Sequence, residues 1–275
     1  MFLRTALLIF IAGVLVLTLQ VLVSRTPEPV TLALTIDGVT RTAIIYPPAR
    51  LAAQGAPVVF GFHSHGSNGH HAATSFRIQE NWREAVVVYP EGLPTPGRTD
   101  PEGLDSGWQS RTGELADRDL KFFDALLAEV RRRYQTDPQR TYATGHSNGA
   151  GFTYLLAAAR PGVLAAIAPS AGESAAGLAS RPIPVLHIAG EQDVITPFAT
   201  QELVMAQVRK VNGCDATPRP WGEPPAKDCQ LYASNLGAPF VALIHPDGHV
   251  YPSEAPALVV RFFQEHTTPP TPPAA

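Results

Sequence analysis

Charge is scarce in this chain of 275 residues: only 16% of them are Asp, Glu, Lys or Arg, and the net charge at pH 7 is −3. Its run of adjacent basic residues, Arg131–Arg133, falls on a predicted helix and is typical of a solvated face. No basic surface suited to nucleic acid is therefore indicated. The chain also shows no internal repeat, and its length fits one sizeable α/β domain or two small ones.

One segment has no charge at all. Thr5–Val23 is apolar on every side, and it is long enough to span a bilayer, which takes about 18 residues or more. A cleaved signal peptide usually has a shorter apolar region and a small-x-small cleavage site such as Ala-x-Ala, and the end of this segment, VLVSRTPEP, is a poor cleavage site. We expect residues 1–29 to form an uncleaved signal-anchor plus linker, with a cleaved signal peptide as the alternative. Both alternatives export the domain to the periplasm or the extracellular space.

Cysteine is scarce as well. Cys214 and Cys229 are the two in the chain, so a single intrachain pairing is possible. A disulfide that closes a loop of this size contributes about 3 kcal/mol, and an exported domain meets an oxidising compartment. We therefore expect a Cys214–Cys229 disulfide, with two buried thiols as the alternative.

Strand and helix patterns alternate along the rest of the chain. Apolar strands surround the turn Asp37-Gly38, which is a hairpin signal, and residues 119–134 have helical periodicity, with Asp117 or Asp119 as a cap. Strands separated by helices of this length predict a mainly parallel sheet flanked by helices.

We place this α/β domain at residues 30–267. The Pro-rich residues 268–275 have too little apolar content to fold and are predicted to be a disordered tail. Sites in such sheets lie beyond the carboxyl ends of the strands.

At the end of one predicted strand stands Gly145-His146-Ser147-Asn148-Gly149, directly before an alanine-rich helix. Glycine at such positions costs up to roughly 1 kcal/mol relative to alanine, so local stability does not explain it. The pattern G-x-S-x-G between a strand and a helix is typical of a nucleophile elbow, a tight turn that presents the serine above the sheet. Ser147 is therefore the candidate nucleophile, against the alternative of a structural turn serine.

A serine nucleophile needs a histidine base and an acid that orients it, in the chain order Ser, acid, His. His249 lies in a loop just after the last predicted strand, whereas His187 and His245 lie inside apolar strands and are expected to pack in the core. Asp193 lies a few residues beyond another strand end and is the predicted acid, with helix capping as its alternative role.

The oxyanion hole needs two backbone amides, which we expect from Asn148 and from His65 in the loop after residues 57–63. The histidines of that loop also suggest a metal site, but we expect no carboxylate close by, and a metal would leave the elbow and His249 unexplained. We predict no metal and a serine mechanism.

Eight motifs in order resemble the polyhydroxybutyrate depolymerase and feruloyl esterase group of α/β-hydrolases. They are PVVFGFHSHGSNG, VVVYPEGLPTPGR, GWQS, DRDLKFFDALL, YATGHSNGAGFTYLLA, AAIAPSAG, PVLHIAGEQD and GHVYP. The resemblance runs from about Val30 to His266. It implies an α/β-hydrolase fold, a triad of Ser147, Asp193 and His249, and no obligatory metal or organic cofactor. Relatives often carry a cysteine pair that matches Cys214 and Cys229.

The sequence departs from that group at three positions. Ser64 and Ser67 replace glycines of the oxyanion loop, which would distort the hole if either position needs a positive φ. Tyr251 stands where the group has tryptophan, and Trp108 is either a stacking wall for a substrate or a core residue. Trp108 and Tyr251 are our predicted substrate contacts.

These observations predict an exported serine carboxylesterase that works through an acyl-enzyme, with an ester substrate that is polymeric or linked to a polysaccharide. No large insertion resembles a lid, so the site should be open. Two alternatives stay open: a non-catalytic binding protein with this fold, and an acyltransferase with the same triad.

Overall fold

A computed structural model describes residues 27–50, 53–174, 181–222 and 229–268. The predicted anchor, Thr5–Val23, and all but the first residue of the predicted tail lie outside these ranges. Among the helices that are described, none is long and apolar enough to cross a membrane. The backbone N–H of Thr268 donates to the carbonyl oxygen of Gln139 at 2.9 Å, so the contacts of the domain extend to residue 268.

The strands, in chain order, are β1 (Val30–Ile36), β2 (Val39–Tyr46), β3 (Ala56–Phe62), β4 (Val86–Pro90), β5 (Leu93–Pro94), β6 (Ser106–Gly107), β7 (Thr136–His146), β8 (Ala166–Ser170), β9 (Val185–Gly190), β10 (Arg219–Pro220), β11 (Cys229–Tyr232) and β12 (Phe240–His245). The helices are α1 (Gly69–Phe76), α2 (Ile78–Asn81), α3 (Arg118–Arg133), α4 (Asn148–Ala159), α5 (Phe198–Val211) and α6 (Ala255–Gln264), and a short 3-10 segment, Glu114–Asp117, precedes α3.

Ten of these strands form one sheet in the order β1-β2-β4-β3-β7-β8-β9-β12-β11-β10, while β5 and β6 pair separately. The six central strands run parallel to one another, as the alternation of strands and helices predicts; they are β4, β3, β7, β8, β9 and β12. The strands at both edges pair in antiparallel fashion. The predicted hairpin is confirmed: Asp37 and Gly38 both have positive φ, and Ile36 pairs with Val39 across the turn.

Two cores cover the two faces of the sheet, because the side chains of a strand alternate between faces. Helices α3, α4 and α5 pack on one face through residues such as Phe123, Phe152 and Met205. On the other face α1, α2 and α6 pack through residues such as Phe76 and Phe263. The central strands β3 and β4 are buried along their whole length, as expected for parallel strands covered on both sides.

Neither predicted cap acts on α3. Asp117 lies in the left-handed region and accepts from the backbone N–H of Gly113 at 2.7 Å instead. Asp119 is fully buried and accepts from Arg41 of β2 at 2.9 Å and from the backbone N–H of Gln109 at 2.9 Å. Asp117 therefore holds the preceding loop, and Asp119 joins α3 to that loop and to β2.

The predicted disulfide is wrong. Cys229 belongs to the core on the α1, α2 and α6 face, whereas Cys214 packs against the core on the opposite face. The backbone of Cys214 forms an isolated β-bridge with Ser234. Ser234 lies five residues beyond Cys229, and five residues of extended chain span about 16 Å. The Cα atoms of a disulfide are usually less than about 7 Å apart. The two cysteines are not bonded to each other.

Candidate active site

Ser147 stands at the turn between β7 and α4 in a strained conformation, with φ 57° and ψ −119°. Serine rarely takes such a positive φ, and conformations of this kind cost on the order of 1–3 kcal/mol. Backbone hydrogen bonds hold the turn. The N–H of Ser147 donates to the carbonyl oxygen of Ser170 in β8 at 2.9 Å, and the carbonyl oxygen of Ser147 accepts from the N–H groups of Ala150 and Gly151. The structure thus has the local geometry expected of a nucleophile elbow.

The two glycines of the motif are required by close backbone approaches. A Cβ atom at Gly145 would lie 2.3 Å from the carbonyl oxygen of Gly149. A Cβ atom at Gly149 would lie 2.2 Å from the carbonyl oxygen of Phe62 and 2.6 Å from that of His63. The first contact closes the turn on itself, and the second presses the turn against the end of β3. The cost of glycine in these elements is therefore explained by sterics.

Asp193 and His249 meet at the carboxyl ends of β9 and β12, where Nδ1 of His249 lies 2.8 Å from Oδ2 of Asp193. The Asp193 side chain is fully buried, and its Oδ1 accepts from the backbone N–H groups of Ile195 and Thr196 at 2.9 and 2.8 Å. These donors hold the carboxylate, and the carboxylate holds the ring of His249. An imidazole that donates from Nδ1 presents a bare Nε2, which is the form a general base needs.

His146 connects the elbow with this pair. Its ring centroid lies 4.8 Å from that of His249, and its Nδ1 lies 3.1 Å from the hydroxyl oxygen of Ser170. Burial and the neighbouring His249 lower the pKa of His146 to about 3, so its ring is neutral at neutral pH. The residue before Ser147 therefore packs directly against the predicted base.

The loop after β3 has ordinary backbone geometry at both departures from the resembling group. Neither Ser64 nor Ser67 has a positive φ, and the left-handed position of this loop falls on Gly66, with φ 71°. His63 pins the loop, because its Nδ1 lies 2.7 Å from the carbonyl oxygen of Ser64 and its Nε2 accepts from the backbone N–H of Gly92 at 2.9 Å. Burial lowers the pKa of His63 to about 4, consistent with a neutral ring in both contacts. The two serines therefore impose no backbone strain here.

The side chain of Asn148 has a role that sequence reasoning missed. Its Oδ1 accepts from the backbone N–H of Trp108 at 2.7 Å, and its Nδ2 donates to the carbonyl oxygen of Trp108 at 3.0 Å. The indole of Trp108 is buried, packs on Phe62 and Phe152, and donates from Nε1 to the carbonyl oxygen of His63 at 2.9 Å. Trp108 therefore ties the elbow to the loop after β3 from below.

A cleft of about 520 Å³ opens over Ser147 and is also lined by Asn148, His65 and one edge of Trp108. Arg98 crosses this cleft: its guanidinium donates to the carbonyl oxygen of Ile195 and lies 3.7 Å from the carboxylate of Glu173. Among the residues predicted to act in catalysis or to contact substrate, Asp193, His249 and Tyr251 do not line the cleft. The predicted nucleophile and both predicted oxyanion residues thus share one open space.

Tyr251 lies beneath the site rather than in it. Its ring packs 4.7 Å from Phe76 and 6.2 Å from His146, against the core on the α1, α2 and α6 face. Burial raises the pKa of its hydroxyl above the usual range. Its contacts are those of a side chain that supports the histidine loop, whereas we had predicted a substrate contact.

The chain is similar in sequence to known esterases. Feruloyl esterase C of Emericella nidulans is 28% identical over 162 residues, which cover 58% of this chain and 57% of that protein. A bifunctional acetylxylan esterase/xylanase of Neocallimastix patriciarum is 25% identical over 182 residues, which cover 65% of this chain and 25% of that protein. No protein-family model matches the chain.

Solved structures decide the fold. An acetyl xylan esterase from Aspergillus awamori superposes with a TM-score of 0.63 at 17% identity, covering 86% of this chain and 99% of that chain. A ferulic acid esterase superposes with a TM-score of 0.59 at 13% identity, covering 88% and 99%. The chain has the α/β-hydrolase fold, and its sequence is similar to those of feruloyl esterases. It spans little more than half the length of feruloyl esterase C and a quarter of the bifunctional enzyme.

The fold also brings carboxylates to the histidine loop that suggests a metal site in the sequence. Nε2 of His65 lies 3.2 Å from Asp100, and Asp105 completes a group whose ligand atoms lie within 4.8 Å of one another. The expectation that no carboxylate lies near these histidines was wrong. Asp100 also accepts from the backbone N–H groups of Gly103 and Asp105, so it organises the turn over the cleft.

Asp193 also has buried side-chain partners that were not predicted from the sequence. Nε2 of Gln201 donates to Asp193 at 3.1 Å, and Oε1 of Gln201 lies 3.2 Å from His187. A signal for Gln201 exists in the sequence, because it occupies a core position in the apolar stripe formed by Phe198, Val204 and Val208 of α5. A polar residue at such a position indicates a buried hydrogen bond.

Proposed function

We propose that this protein is a serine carboxylesterase that hydrolyses its substrate through an acyl-enzyme. The observation that carries the proposal is the 2.8 Å hydrogen bond between Asp193 and His249, at the same edge of the sheet as the strained elbow of Ser147. Its esterase relatives support the reaction class, since α/β-hydrolases with this chain order use a Ser-acid-His triad.

In the proposed reaction, the hydroxyl oxygen of Ser147 attacks the ester carbonyl carbon, and Nε2 of His249 takes the hydroxyl proton. The tetrahedral intermediate collapses, the carbon–oxygen bond to the alcohol breaks, and His249 returns that proton to the leaving alcohol. Water then attacks the acyl-serine by the same route and releases the acid. Asp193 holds the tautomer of His249 and stabilises its charged form.

The backbone amides of His65 and Asn148 are the proposed oxyanion hole. Both residues line the cleft with Ser147, and Asn148 is the first residue of α4, so its N–H points out of the helix N-terminus. Loss of one such donor typically costs about 3 kcal/mol of transition-state stabilisation.

We propose esters of plant polysaccharides as the substrate class, with a feruloyl or acetyl group as the acyl part and hydroxyalkanoate oligomers as a further candidate. Relatives named for feruloyl and acetylxylan substrates support this choice, and so does the open, mixed polar and apolar cleft. We further propose that the protein acts outside the cytoplasm, in the periplasm or the extracellular space, on the strength of Thr5–Val23, which serves as anchor or signal.

The test is hydrolysis of p-nitrophenyl acetate and butyrate by the full chain, compared with Ser147→Ala. We expect the substitution to reduce kcat/KM by a factor on the order of 10⁴, to abolish labelling by a fluorophosphonate, and EDTA to leave the wild-type rate unchanged. A wild type no faster than the alanine variant would indicate a non-catalytic protein.

Methyl ferulate, acetylxylan and hydroxybutyrate oligomers assayed side by side identify the acyl group. Transfer of the acyl group to added sugars rather than to water would indicate an acyltransferase.

A further inference from the structure

A continuous chain of buried hydrogen bonds leads from α4 to His249. The hydroxyl of Tyr154 lies 2.7 Å from Nδ1 of His187, and Nε2 of His187 lies 3.2 Å from Oε1 of Gln201. Nε2 of Gln201 then donates to Oδ2 of Asp193 at 3.1 Å, the same oxygen that accepts from His249. Tyr154, His187, Gln201 and Asp193 are at most 5% exposed.

Which atom donates and which accepts in each of these bonds follows from the Asp193 carboxylate, which can only accept. The amide of Gln201 faces two acceptors, the Asp193 carboxylate and the carbonyl oxygen of Thr196 at 2.7 Å, so its NH₂ group must point at them. Oε1 of Gln201 therefore faces His187, whose Nε2 must carry the proton. Nδ1 of His187 is then bare and accepts from Tyr154.

His187 is held in the required neutral form. Burial lowers its pKa to about 4, and the side chain is fully enclosed. Every donor in the chain faces an acceptor, so reversing one bond would set two acceptors or two donors against each other at the next bond. The chain therefore favours the Gln201 orientation that supports Asp193.

The chain also connects the two halves of the candidate site. Helix α4 begins directly after Ser147 and carries Tyr154 two turns further on, whereas Gln201 lies on α5 and His249 follows β12. We propose that Gln201 is a positioning residue. His187 and Tyr154 hold its amide in one orientation, and that amide fixes the Asp193 carboxylate and favours the neutral form of His249. This inference rests on the proposed function.

The other ionisable groups near His249 do not contact Gln201. His146 packs on the ring of His249 from the end of β7, and His245, Asp247 and Tyr251 belong to the same strand end and loop. Removing the Gln201 amide takes a partial positive charge away from Asp193 and leaves these groups in place. The surroundings of His249 become more negative, which favours its protonated form.

The first test is Gln201→Met, which keeps the length of the side chain. We expect kcat/KM on p-nitrophenyl acetate to fall roughly 10- to 100-fold, with KM little changed, because Oδ2 of Asp193, the oxygen that faces His249, loses its side-chain donor. The acidic limb of the pH profile should move upward by roughly half a pH unit. A variant that folds with the wild-type rate and the wild-type limb would overturn the proposal.

Tyr154→Phe tests the far end of the chain, and Tyr142→Phe is its matched control. Tyr154→Phe leaves His187 without its donor and should move the limb in the same direction by a smaller amount. Tyr142 is also buried, but its hydroxyl donates to the carbonyl oxygen of His266 at 2.6 Å, outside the chain of bonds. The control should keep the wild-type limb. Equal shifts in both tyrosine variants, or none in Tyr154→Phe, would contradict the proposal, and this comparison decides the matter if Gln201→Met does not fold.

A titration of His249 by NMR separates this inference from the proposed function, because it needs no substrate. If the wild type hydrolyses no ester, the proposed function fails, while the titration midpoints of the three variants still test the chain of bonds. We expect the midpoint of Tyr142→Phe to equal that of the wild type, the midpoint of Tyr154→Phe to be higher, and that of Gln201→Met to be the highest. Unchanged midpoints in the last two would refute the inference even for an active esterase.

Discussion

Gly149 at the start of α4 lies against Phe62 at the end of β3, so closely that a Cβ atom at position 149 would stand 2.2 Å from the Phe62 carbonyl oxygen. The contact joins the turn that carries Ser147 to the strand that leads into the loop of His65. It explains how two segments more than eighty residues apart place a candidate nucleophile and a candidate oxyanion donor on one cleft.

Gly149→Ala should therefore destabilise the protein. The added methyl group meets backbone carbonyl oxygens, which cannot rotate away, so we expect a loss of about 1–3 kcal/mol in the free energy of unfolding. Urea denaturation measures the change. Gly151→Ala in the same helix is the matched control, since its Cβ atom would come no closer than 3.2 Å to the carbonyl oxygen of Glu173. Equal stability of the two variants would contradict the steric argument.

Three histidines with lowered pKa values predict a loss of stability in acid. Burial lowers the pKa of His63 and His187 to about 4 and that of His146 to about 3, against an ordinary value of 6.5. The unfolded chain binds these protons first as pH falls, so the stability is fully present above pH 6.5 and is lost progressively toward pH 3 to 4. Within that window each histidine lowers the free energy of unfolding by about 1.4 kcal/mol per pH unit.

The measurement is the urea midpoint as a function of pH. His63→Gln should reduce the slope between pH 6 and 4.5 by about one proton, whereas His70→Gln replaces an exposed histidine of the following helix and should keep the wild-type slope. A His63→Gln slope identical to that of the wild type would show that the imidazole binds its proton equally in both states.

The cysteines should be two thiols. Because Cys214 and Cys229 face opposite sides of the sheet, oxidation within the folded chain is not geometrically possible without moving backbone. Thiol titration of the non-reduced protein in denaturant should find two groups per chain, and a reductant should leave the melting temperature unchanged. Absence of titratable thiols, together with a lower melting temperature after reduction, would restore the disulfide.

Arg41→Met should be strongly destabilising. The guanidinium of Arg41 is buried against Asp119 and lies 4.3 Å from the centroid of the Phe122 ring, and burial lowers its pKa. Removing it leaves the buried Asp119 carboxylate without its hydrogen-bonded cation and with only the longer 3.9 Å contact to Arg118, which costs about 3–5 kcal/mol.

The double variant Arg41→Met/Asp119→Leu is the comparison for that loss. It should recover part of the stability, because the isolated charge is gone, although the backbone N–H of Gln109 then lacks its acceptor. Chemical denaturation of the single and double variants measures the coupling. Additive losses would show that the two side chains act independently.

Much of the architecture follows from local patterns. The hairpin at Asp37-Gly38, the amphipathic α3 and the parallel sheet were all predicted, because turn chemistry and apolar periodicity act over a few residues. The positions of Asp193 and His249 beyond strand ends were also predicted, and the structure brings these two side chains together. Their catalytic roles stay predictions.

Contacts between distant segments were not predictable in the same way. Asp119 could be a cap from its place in the sequence, but the burial of Arg41 beside it depends on how β2 packs against α3. Tyr251 and Trp108 were candidates for substrate contact, and only the packing of Phe76 and Phe152 around them shows that both rings belong largely to the core.

The amino-acid sequence by itself determined the elbow and the parallel sheet, because a glycine-flanked serine between a strand and a helix, and apolar runs of strand length, are locally encoded. The tertiary structure alone decided the face of the sheet on which each cysteine lies and the bonded path from Tyr154 to His249. Both depend on the depth and direction of side chains from separate elements, since a strand alternates its faces and a buried polar atom bonds to whatever neighbour the fold supplies.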